Sequence, residues 1–254
     1  MHSIDAAATA DTRDLPPPPA DALVGASLFL DFDGTLVALA DTPDTVALDD
    51  GLAELLAMLV SRLDGRVALV SGRSIATLDD LLGDHGLHIV GSHGAETRLA
   101  GGSLERPDRP AALERAETLF ATRLAHHDGV VIEPKSLGVG VHYRLAPAAR
   151  DEAHALVEGY ALDHDLAVQH GKMMVELRLP GHDKGSAITA LMRRPPFAGH
   201  LPIFIGDDLT DEPAFAAAAA HGGAGILVGE ARDTAAHYRL DDVAAVHAFL
   251  KGSR

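Results

Sequence analysis

Asp31-Phe32-Asp33-Gly34-Thr35-Leu36 directly follows the apolar run Leu28-Phe29-Leu30. A short buried strand that delivers two carboxylates, two residues apart, into a glycine turn suits a nucleophile and a partner acid/base. An aspartate can attack phosphorus and form an acyl phosphate, which divides one hard displacement into two easier ones. Gly34 lets the chain turn sharply and brings backbone N–H groups close to an anion. The competing reading is a strand that ends in a capped helix start, since Asp and Thr both cap well.

Three further segments stand at similar places. Ser71-Gly72-Arg73 follows Val67-Ala68-Leu69-Val70, Lys184-Gly185 opens an amphipathic segment through Leu191, and Gly206-Asp207-Asp208-Leu209-Thr210-Asp211-Glu212 follows Ile203-Phe204-Ile205. S-G-R and K-G are weak signals alone; with the first hexapeptide, and in this order, they are strong. The D-x-D-G-T-[LV] signature resembles motif I of the haloacid-dehalogenase-like phosphohydrolases, and the other segments resemble that superfamily's remaining stations. The fold this implies is α/β: a Rossmannoid parallel-sheet core of the haloacid-dehalogenase-like (HAD-like) type with an inserted α+β cap domain. Ligand chemistry at the carboxyl ends of strands is what an open parallel sheet supports.

Composition narrows the partners. The 254 residues can hold one large domain or two small ones, and a hydrophobic fraction of 47% excludes wholesale disorder. A formal net charge of −16 argues against nucleic acid or an anionic membrane surface. With no cysteine there is no disulfide, thiol nucleophile or thiolate metal site. No apolar stretch approaches the roughly 20 residues of a membrane span. Only four lysines occur, Lys135, Lys172, Lys184 and Lys251. In a chain where arginine is the default cation, three of them inside suspected site segments suggest that a compact ammonium is needed there.

Residues 1–24 are Ala-, Asp- and Pro-rich without a basic start or an apolar h-region, so they read as a disordered lead-in of a cytoplasmic protein rather than a signal peptide. Strand signals at 27–31, 66–71 and 87–92 alternate with helical patterns at Leu52–Leu63 and Ile75–Leu82, which predicts βαβ units and a parallel sheet. After Gly101-Gly102 the order changes to helix, strand, strand, helix, strand, strand. Alternation resumes with the Lys184 helix, a strand at 201–205, an Ala-rich helix from Pro213 and a strand at Gly225–Val228. The expected division is a core of 25–104 and 179–254 with an insertion at 105–178.

Within the insertion, polar groups stand two residues apart: Glu133 and Lys135, His142 and Arg144, then Glu176 and Arg178 with Lys172 in phase. Val130, Ile132, Val139, Val141, Tyr143, Met173, Val175 and Leu177 occupy the other phase. Period two places one set on each face of a sheet, so one face packs on helices and the other carries charge. Pro134 lacks a donor and implies an edge strand or a bulge. An antiparallel sheet with one ordinary solvated face is the plainer alternative.

The chemistry then expected is phosphomonoester hydrolysis through an aspartyl phosphate. Asp31 attacks; Asp33 protonates the leaving sugar oxygen and later takes a proton from water. Carboxylate ligands without cysteine favour Mg²⁺, held by Asp31, the backbone carbonyl of Asp33, and Asp207, with Asp208 and Asp211 as further ligands or support. Ser71 and Lys184 grip the phosphoryl oxygens, because phosphoryl transfer asks for positioning and charge neutralisation.

Gly91-Ser92-His93-Gly94-Ala95-Glu96, Glu133-Pro134-Lys135 with His142-Tyr143-Arg144, Gly171-Lys172-Met173 with Glu176-Leu177-Arg178, and the segment 206–212 are similar to trehalose-6-phosphate phosphatases. The similarity spans residue 27 to about 230. It implies that Glu133, Lys135 and Glu176 hydrogen-bond sugar hydroxyls, with Arg73, His142, Arg144 and Lys172 as secondary candidates. A small-molecule sugar phosphate is the implied partner, and the chain is expected to be a monomer. Pro134 and Thr97 are looser points of the match. The rivals are another capped sugar phosphatase, for sucrose-phosphate or mannosyl-3-phosphoglycerate, and a non-catalytic sugar-phosphate sensor.

Overall fold

A computed structural model of the chain describes residues 15–38, 50–83, 86–171 and 173–253. Along the chain, β1 (Ala26–Leu30), α1 (Asp50–Arg62), β2 (Val67–Val70) and α2 (Ile75–Leu82) precede three short strands, β3 (His88–Gly91), β4 (Glu96–Arg98) and β5 (Leu104–Glu105). Then come α3 (Ala111–Arg123), β6 (Val131–Lys135), β7 (Gly138–His142), α4 (Arg150–His164), β8 (Ala167–Gly171) and β9 (Met174–Arg178). The remaining elements are α5 (Lys184–Leu191), β10 (Leu201–Gly206), α6 (Glu212–Ala220), β11 (Ala224–Val228), β12 (Tyr238–Leu240) and α7 (Val243–Gly252). These elements fall into two compact units. One takes the described residues through Val70, residues 86–87 and those from Lys184 on; the other takes Ser71–Gly83 and His88–Asp183.

In the first unit the strands lie in the order β12-β11-β10-β1-β2, and every pairing is parallel. Every residue of β1 and β2 is buried, as expected for apolar runs in a sheet covered on both faces. Ser27 is the polar exception in β1, and its hydroxyl donates to the Phe197 carbonyl at 3.2 Å. Register is what positions the chemistry. Leu30 pairs with Ile205, and the Asp31 N–H donates to the Ile205 carbonyl at 2.9 Å. β1 and β10 therefore end together, and the acidic segments that follow them leave the sheet side by side.

Two elements here were not foreseen. Tyr238–Leu240 is a three-residue, half-buried strand with no apolar run, and α7 begins beyond the last motif, capped by Asp242 through a bond from the Ala245 N–H at 2.8 Å. The expected lead-in also needs correction. Its first fourteen residues lie outside the described ones, but Leu23 is 0% exposed and the Pro16 carbonyl accepts from the Arg239 N–H at 3.0 Å. Burial of one large apolar side chain and a backbone bond to β12 hold residues 16–24 against the core.

The second unit contains an antiparallel sheet in the order β6-β7-β9-β8. Val139, Val141, Val175 and Leu177 from its central strands, with Tyr143 just beyond β7, pack with Leu113 and Phe120 of α3 and Val157 of α4. Val130, Ile132 and Met173 pack against the same cluster. The apolar phase read from the sequence is thus the buried face. β6 is an edge strand, which accommodates Pro134 without a missing ladder bond.

This unit extends beyond the expected insertion, because 71–83 and 88–104 group with it. Local hydrogen bonds join the two segments to each other, the His93 N–H to the Ser71 carbonyl, the Ser92 N–H to the Arg73 carbonyl and the Ile75 N–H to Glu96 Oε2 at 2.8 Å, and the Ser92 and Ser136 hydroxyls, 3.1 Å apart, tie them to the insertion. The strand signal at 87–92 corresponds to β3, but the antiparallel strands β4 and β5 beside it were not anticipated; together they hold only five residues.

Phe120 is fully buried and meets Tyr160 edge-to-face at 5.6 Å between centroids. Phe120→Ala is expected to remove about 3–5 kcal/mol of stability from this unit. The chain has no tryptophan, and two of its three tyrosines, Tyr143 and Tyr160, lie in that cluster. A urea titration followed by tyrosine fluorescence should therefore show the transition moved to lower denaturant; an unmoved midpoint would contradict the packing described.

Candidate active site

Where β1 and β10 end, three carboxylates and one ammonium converge. Asp31 follows β1, Asp207 follows β10, Asp211 ends a short 3₁₀ turn, Leu209–Asp211, and Lys184 is the first residue of α5. Lys184 Nζ lies 2.8 Å from Asp31 Oδ1 and 2.6 Å from Asp211 Oδ1. All three are withdrawn from solvent, at 2%, 4% and 0% exposure for Lys184, Asp31 and Asp211. Asp31, Asp207 and Asp211 each offer a carboxylate oxygen within 4.8 Å of the others'.

Backbone geometry makes this crowding possible. Gly34 has φ +79°, and a Cβ there would sit 2.1 Å from Asp207 Oδ2. Only glycine meets both demands, a left-handed backbone and close approach of a carboxylate. The turn is closed by the Gly34 N–H to the Val37 carbonyl at 2.8 Å and the Leu36 N–H to the Phe32 carbonyl at 2.9 Å. On the second loop, Asp208 accepts from the Leu209 N–H at 2.6 Å, while Asp211 Oδ2 accepts from the Asp208 N–H at 2.9 Å. This reciprocal capping box aims Asp211 Oδ1 at Lys184 and leaves Asp208 more exposed, serving as a cap.

The electrostatics are unbalanced. Burial, reinforced by Asp211 and opposed by Lys184, pushes the Asp31 carboxyl well above its ordinary range. Burial, then Asp211 and Asp208, raises Asp207 to about 7. Burial would lower Lys184, but Asp211 and Asp31 outweigh it and hold the ammonium above its usual value. Asp207 Oδ1 is buried without a hydrogen-bond partner among the described residues. Three hard oxygen donors, one ammonium and one orphaned carboxylate oxygen together fit a divalent cation.

The second unit carries its own polar constellation. Glu133, Gly140, Glu176 and Gln169 are consecutive cross-strand partners through β6, β7, β9 and β8, so they form one row on the face opposite the apolar cluster. Lys135 Nζ bonds Glu176 Oε2 at 2.5 Å and lies 3.7 Å from Glu133 Oε2, which is 2.7 Å from His142 Nε2. Gly138 and Gly140 keep the middle of this face low: a Cβ at Gly140 would stand 3.1 Å from Glu133 Oε2, and one at Gly138 3.1 Å from Glu176 Oε1. Burial opposes charge at both Glu133 and Lys135. It is outweighed at Glu133 by the His142 bond and by Lys135, so the carboxyl falls below its usual range. At Lys135 it is outweighed by Glu176 and Glu133, so the ammonium is raised. Arg73 also acts on both groups electrostatically.

The family model for trehalose-phosphatase matches residues 29–244, a span that contains every residue named in both constellations. The chain belongs to the trehalose-phosphatase family. It is 42% identical over 205 residues to a probable trehalose-phosphate phosphatase of Sinorhizobium fredii, covering 80% of this chain and 77% of that one. To the trehalose-6-phosphate phosphatase of Escherichia coli it is 36% identical over 225 residues, covering 88% and 84%. Among solved structures, a trehalose-6-phosphate phosphatase related protein is 30% identical with a TM-score of 0.75, over 88% of this chain and 95% of that one. The C-terminal domain of the Candida albicans trehalose-6-phosphate phosphatase superposes with a TM-score of 0.80 over 93% and 97% at 22% identity, which speaks to the fold. These likenesses agree with the expected HAD-like core.

Of the sequence-derived candidates, the structure gathers Asp31, Lys184 and Asp207 in the first unit and Glu133, Lys135, His142 and Glu176 in the second. The third carboxylate of the cluster is Asp211, which the sequence analysis named as a further ligand or support. Asp33 lies half-exposed on the turn, where its expected contribution was a backbone carbonyl. Ser71 is buried in the second unit, and its hydroxyl accepts from the Arg73 N–H at 3.1 Å. Arg144 departs from expectation: β7 ends at His142, and Arg144 occupies an exposed turn beyond it. Lys172 lies outside the described residues. Gln169, Gly138 and Gly140 were missed, although Gln169 sits seven residues before Glu176 across a short hairpin, a spacing that pairs them.

Replacing the ammonium is the sharpest perturbation of the first constellation. Lys184→Met leaves buried carboxylates without their counter-charge, and breaking a buried pair from one side costs about 3–5 kcal/mol. Chemical denaturation at neutral pH should register that loss; a variant as stable as the parent would refute the counter-ion role.

Proposed function

We propose that this chain hydrolyses trehalose 6-phosphate to trehalose and inorganic phosphate, with Asp31 as the nucleophile. The observation that carries the reading is a buried aspartate at a strand tip, ion-paired to Lys184 and clustered with Asp207 and Asp211, in a member of the trehalose-phosphatase family.

An Asp31 oxygen forms a bond to phosphorus as the bond between phosphorus and the sugar's 6-oxygen breaks. Asp33 gives its proton to that departing oxygen, so trehalose leaves neutral. The same carboxylate then takes a proton from a water molecule, whose oxygen attacks the phosphorus of the aspartyl phosphate. Phosphate leaves and Asp31 is regenerated as a carboxylate. Lys184 offsets charge on the phosphoryl oxygens as a point cation, and the Ser71 hydroxyl keeps its expected role as a neutral donor to them.

A divalent cation would be held by Asp31, Asp207 and the Asp33 carbonyl, with Asp211 beside them, and Mg²⁺ suits this hard oxygen set. Bound there, it neutralises negative charge that would otherwise oppose an anionic substrate. In the second unit, Glu133, Lys135 and Glu176 offer charged partners for the hydroxyls of a disaccharide, and charge-assisted hydrogen bonds are the stronger kind. His142, bonded to Glu133, and Arg73, which acts electrostatically on Glu133 and Lys135, brace this set. The core and cap roles of the two units belong to this proposal.

Three assays test it. Asp31→Asn should keep its circular dichroism spectrum yet release phosphate at less than about a hundredth of the parental rate, since the substitution removes the nucleophile with little change of shape. Glu133→Gln or Lys135→Ala should lower kcat/KM for trehalose 6-phosphate by about ten- to a hundred-fold, the equivalent of 1.5–3 kcal/mol for a bond to a charged group. A generic aryl phosphate should suffer a smaller loss; equal losses on both substrates would contradict a sugar-binding role. Preference for sucrose-phosphate or mannosyl-3-phosphoglycerate in a substrate panel would favour the rival phosphatases, and a parent that releases no phosphate from any would favour the sensor.

A further inference from the structure

The motif Gly91–Glu96 has no part in the chemistry above, yet it contains two consecutive non-glycine residues with left-handed backbone, Ser92 at φ +49° and His93 at φ +54°, ψ +33°. Such a pair is unfavourable and persists only where the surroundings impose it, most often at functional sites. What imposes it is visible. The Ser92 N–H donates to the Arg73 carbonyl at 2.8 Å, the His93 N–H donates to the Ser71 carbonyl at 3.0 Å, and the Ser92 and Ser136 hydroxyls share a bond of 3.1 Å. Gly94, at φ +104°, lies so close to Asp183 that a Cβ would be 2.4 Å from its carbonyl oxygen.

This backbone lays the His93 imidazole flat against Gly72. A Cβ at Gly72 would stand 2.5 Å from His93 Cε1, which accounts for the glycine between Ser71 and Arg73. On its other side the ring meets the polar face of the second unit. His93 Nε2 is 4.0 Å from Glu176 Oε2, and the Gln169 amide nitrogen lies 3.3 and 3.5 Å from the two ring nitrogens. Gln169 and Glu176 are direct cross-strand partners, so one rigid ring abuts both. Glu176 Oε2 is at the same time bonded to Lys135 at 2.5 Å.

The geometry points to His93 as a positioning residue: its imidazole, clamped on Gly72, sets where the Glu176 carboxylate and the Gln169 amide stand for the sugar. This inference rests on the proposed sugar-binding role of Glu176. Without the ring, the Lys135 ammonium, already 2.5 Å from Glu176 Oε2, draws the carboxylate toward itself, while the Gln169 amide loses its stop. The residue acts through its neighbours and touches no reacting atom, so its removal should weaken substrate binding and spare the chemical step.

His93→Asn isolates the ring, because asparagine tolerates the left-handed backbone. Its KM for trehalose 6-phosphate should rise about ten-fold while kcat stays within about two-fold, the pattern of lost binding without lost transition-state contacts. In a Glu176→Gln background the same substitution should add little, since effects that pass through one contact are not additive. His93→Gly, which carries no backbone penalty, should repeat the KM change and supplies the measurement if the asparagine variant folds poorly. An unchanged KM, a fall in kcat of the same size, or full additivity with Glu176→Gln would overturn the inference. A parent that turns over trehalose 6-phosphate beside an indifferent His93→Asn defeats this inference alone; a parent that leaves that substrate intact defeats the functional proposal itself.

Discussion

A buried lysine shared between two buried aspartates is the constraint around which the first unit is organised. The Lys184 ammonium is out of water and within 2.8 Å of both Asp31 and Asp211. Such a group is tolerable only with its partners fixed, and the fold fixes them from three directions: the end of β1, the capping box after β10 and the first residue of α5. Because Asp207 adds a further carboxylate beside them, one ammonium cannot neutralise the set. The residual negative charge is the physical reason that the proposed divalent cation would be held here, and only with that cation bound would the set cease to repel an anionic phosphoryl group.

Close approach of backbones is the second theme. Gly34 admits the Asp207 carboxylate, Gly206 admits Asp211, and Gly185 admits the Pro213 carbonyl, each at a distance no Cβ could keep. In the second unit, Gly138 and Gly140 let charged side chains reach across the central strand, and Gly72 seats the His93 ring. Space at both constellations is created by omission of side chains. Strands β1 and β10, buried and rigidly paired, supply the stiffness against which these approaches are held.

Much of this was legible in the amino acids. Continuous apolar runs marked β1, β2 and β10, because a strand covered on both faces cannot alternate. The two-residue period around Val139, Val141, Val175 and Leu177 divided the antiparallel sheet into a packed and a charged face, and the structure bears that division out. What escaped did so for physical reasons. Tyr238–Leu240 and Leu104–Glu105 are too short to show a period. Residues 16–24 look like a loose lead-in by composition, yet one leucine and one backbone bond suffice to dock them. Asp208 and Asp211 were named together, and what spacing does not encode is that the capping box turns one Asp211 oxygen toward Lys184 while Asp208 stays exposed as a cap. Gln169 was passed over because a lone amide in a strand carries no signal until its cross-strand partner is known.

Whether Asp31 truly bonds to phosphorus is the claim on which the account stands. Stereochemical analysis of hydrolysis at an isotopically chiral phosphoryl centre tests it most directly. Two successive in-line displacements, first by Asp31 and then by water, predict retention of configuration at phosphorus. Inversion would mean a single direct attack by water, and would contradict the covalent role assigned to Asp31.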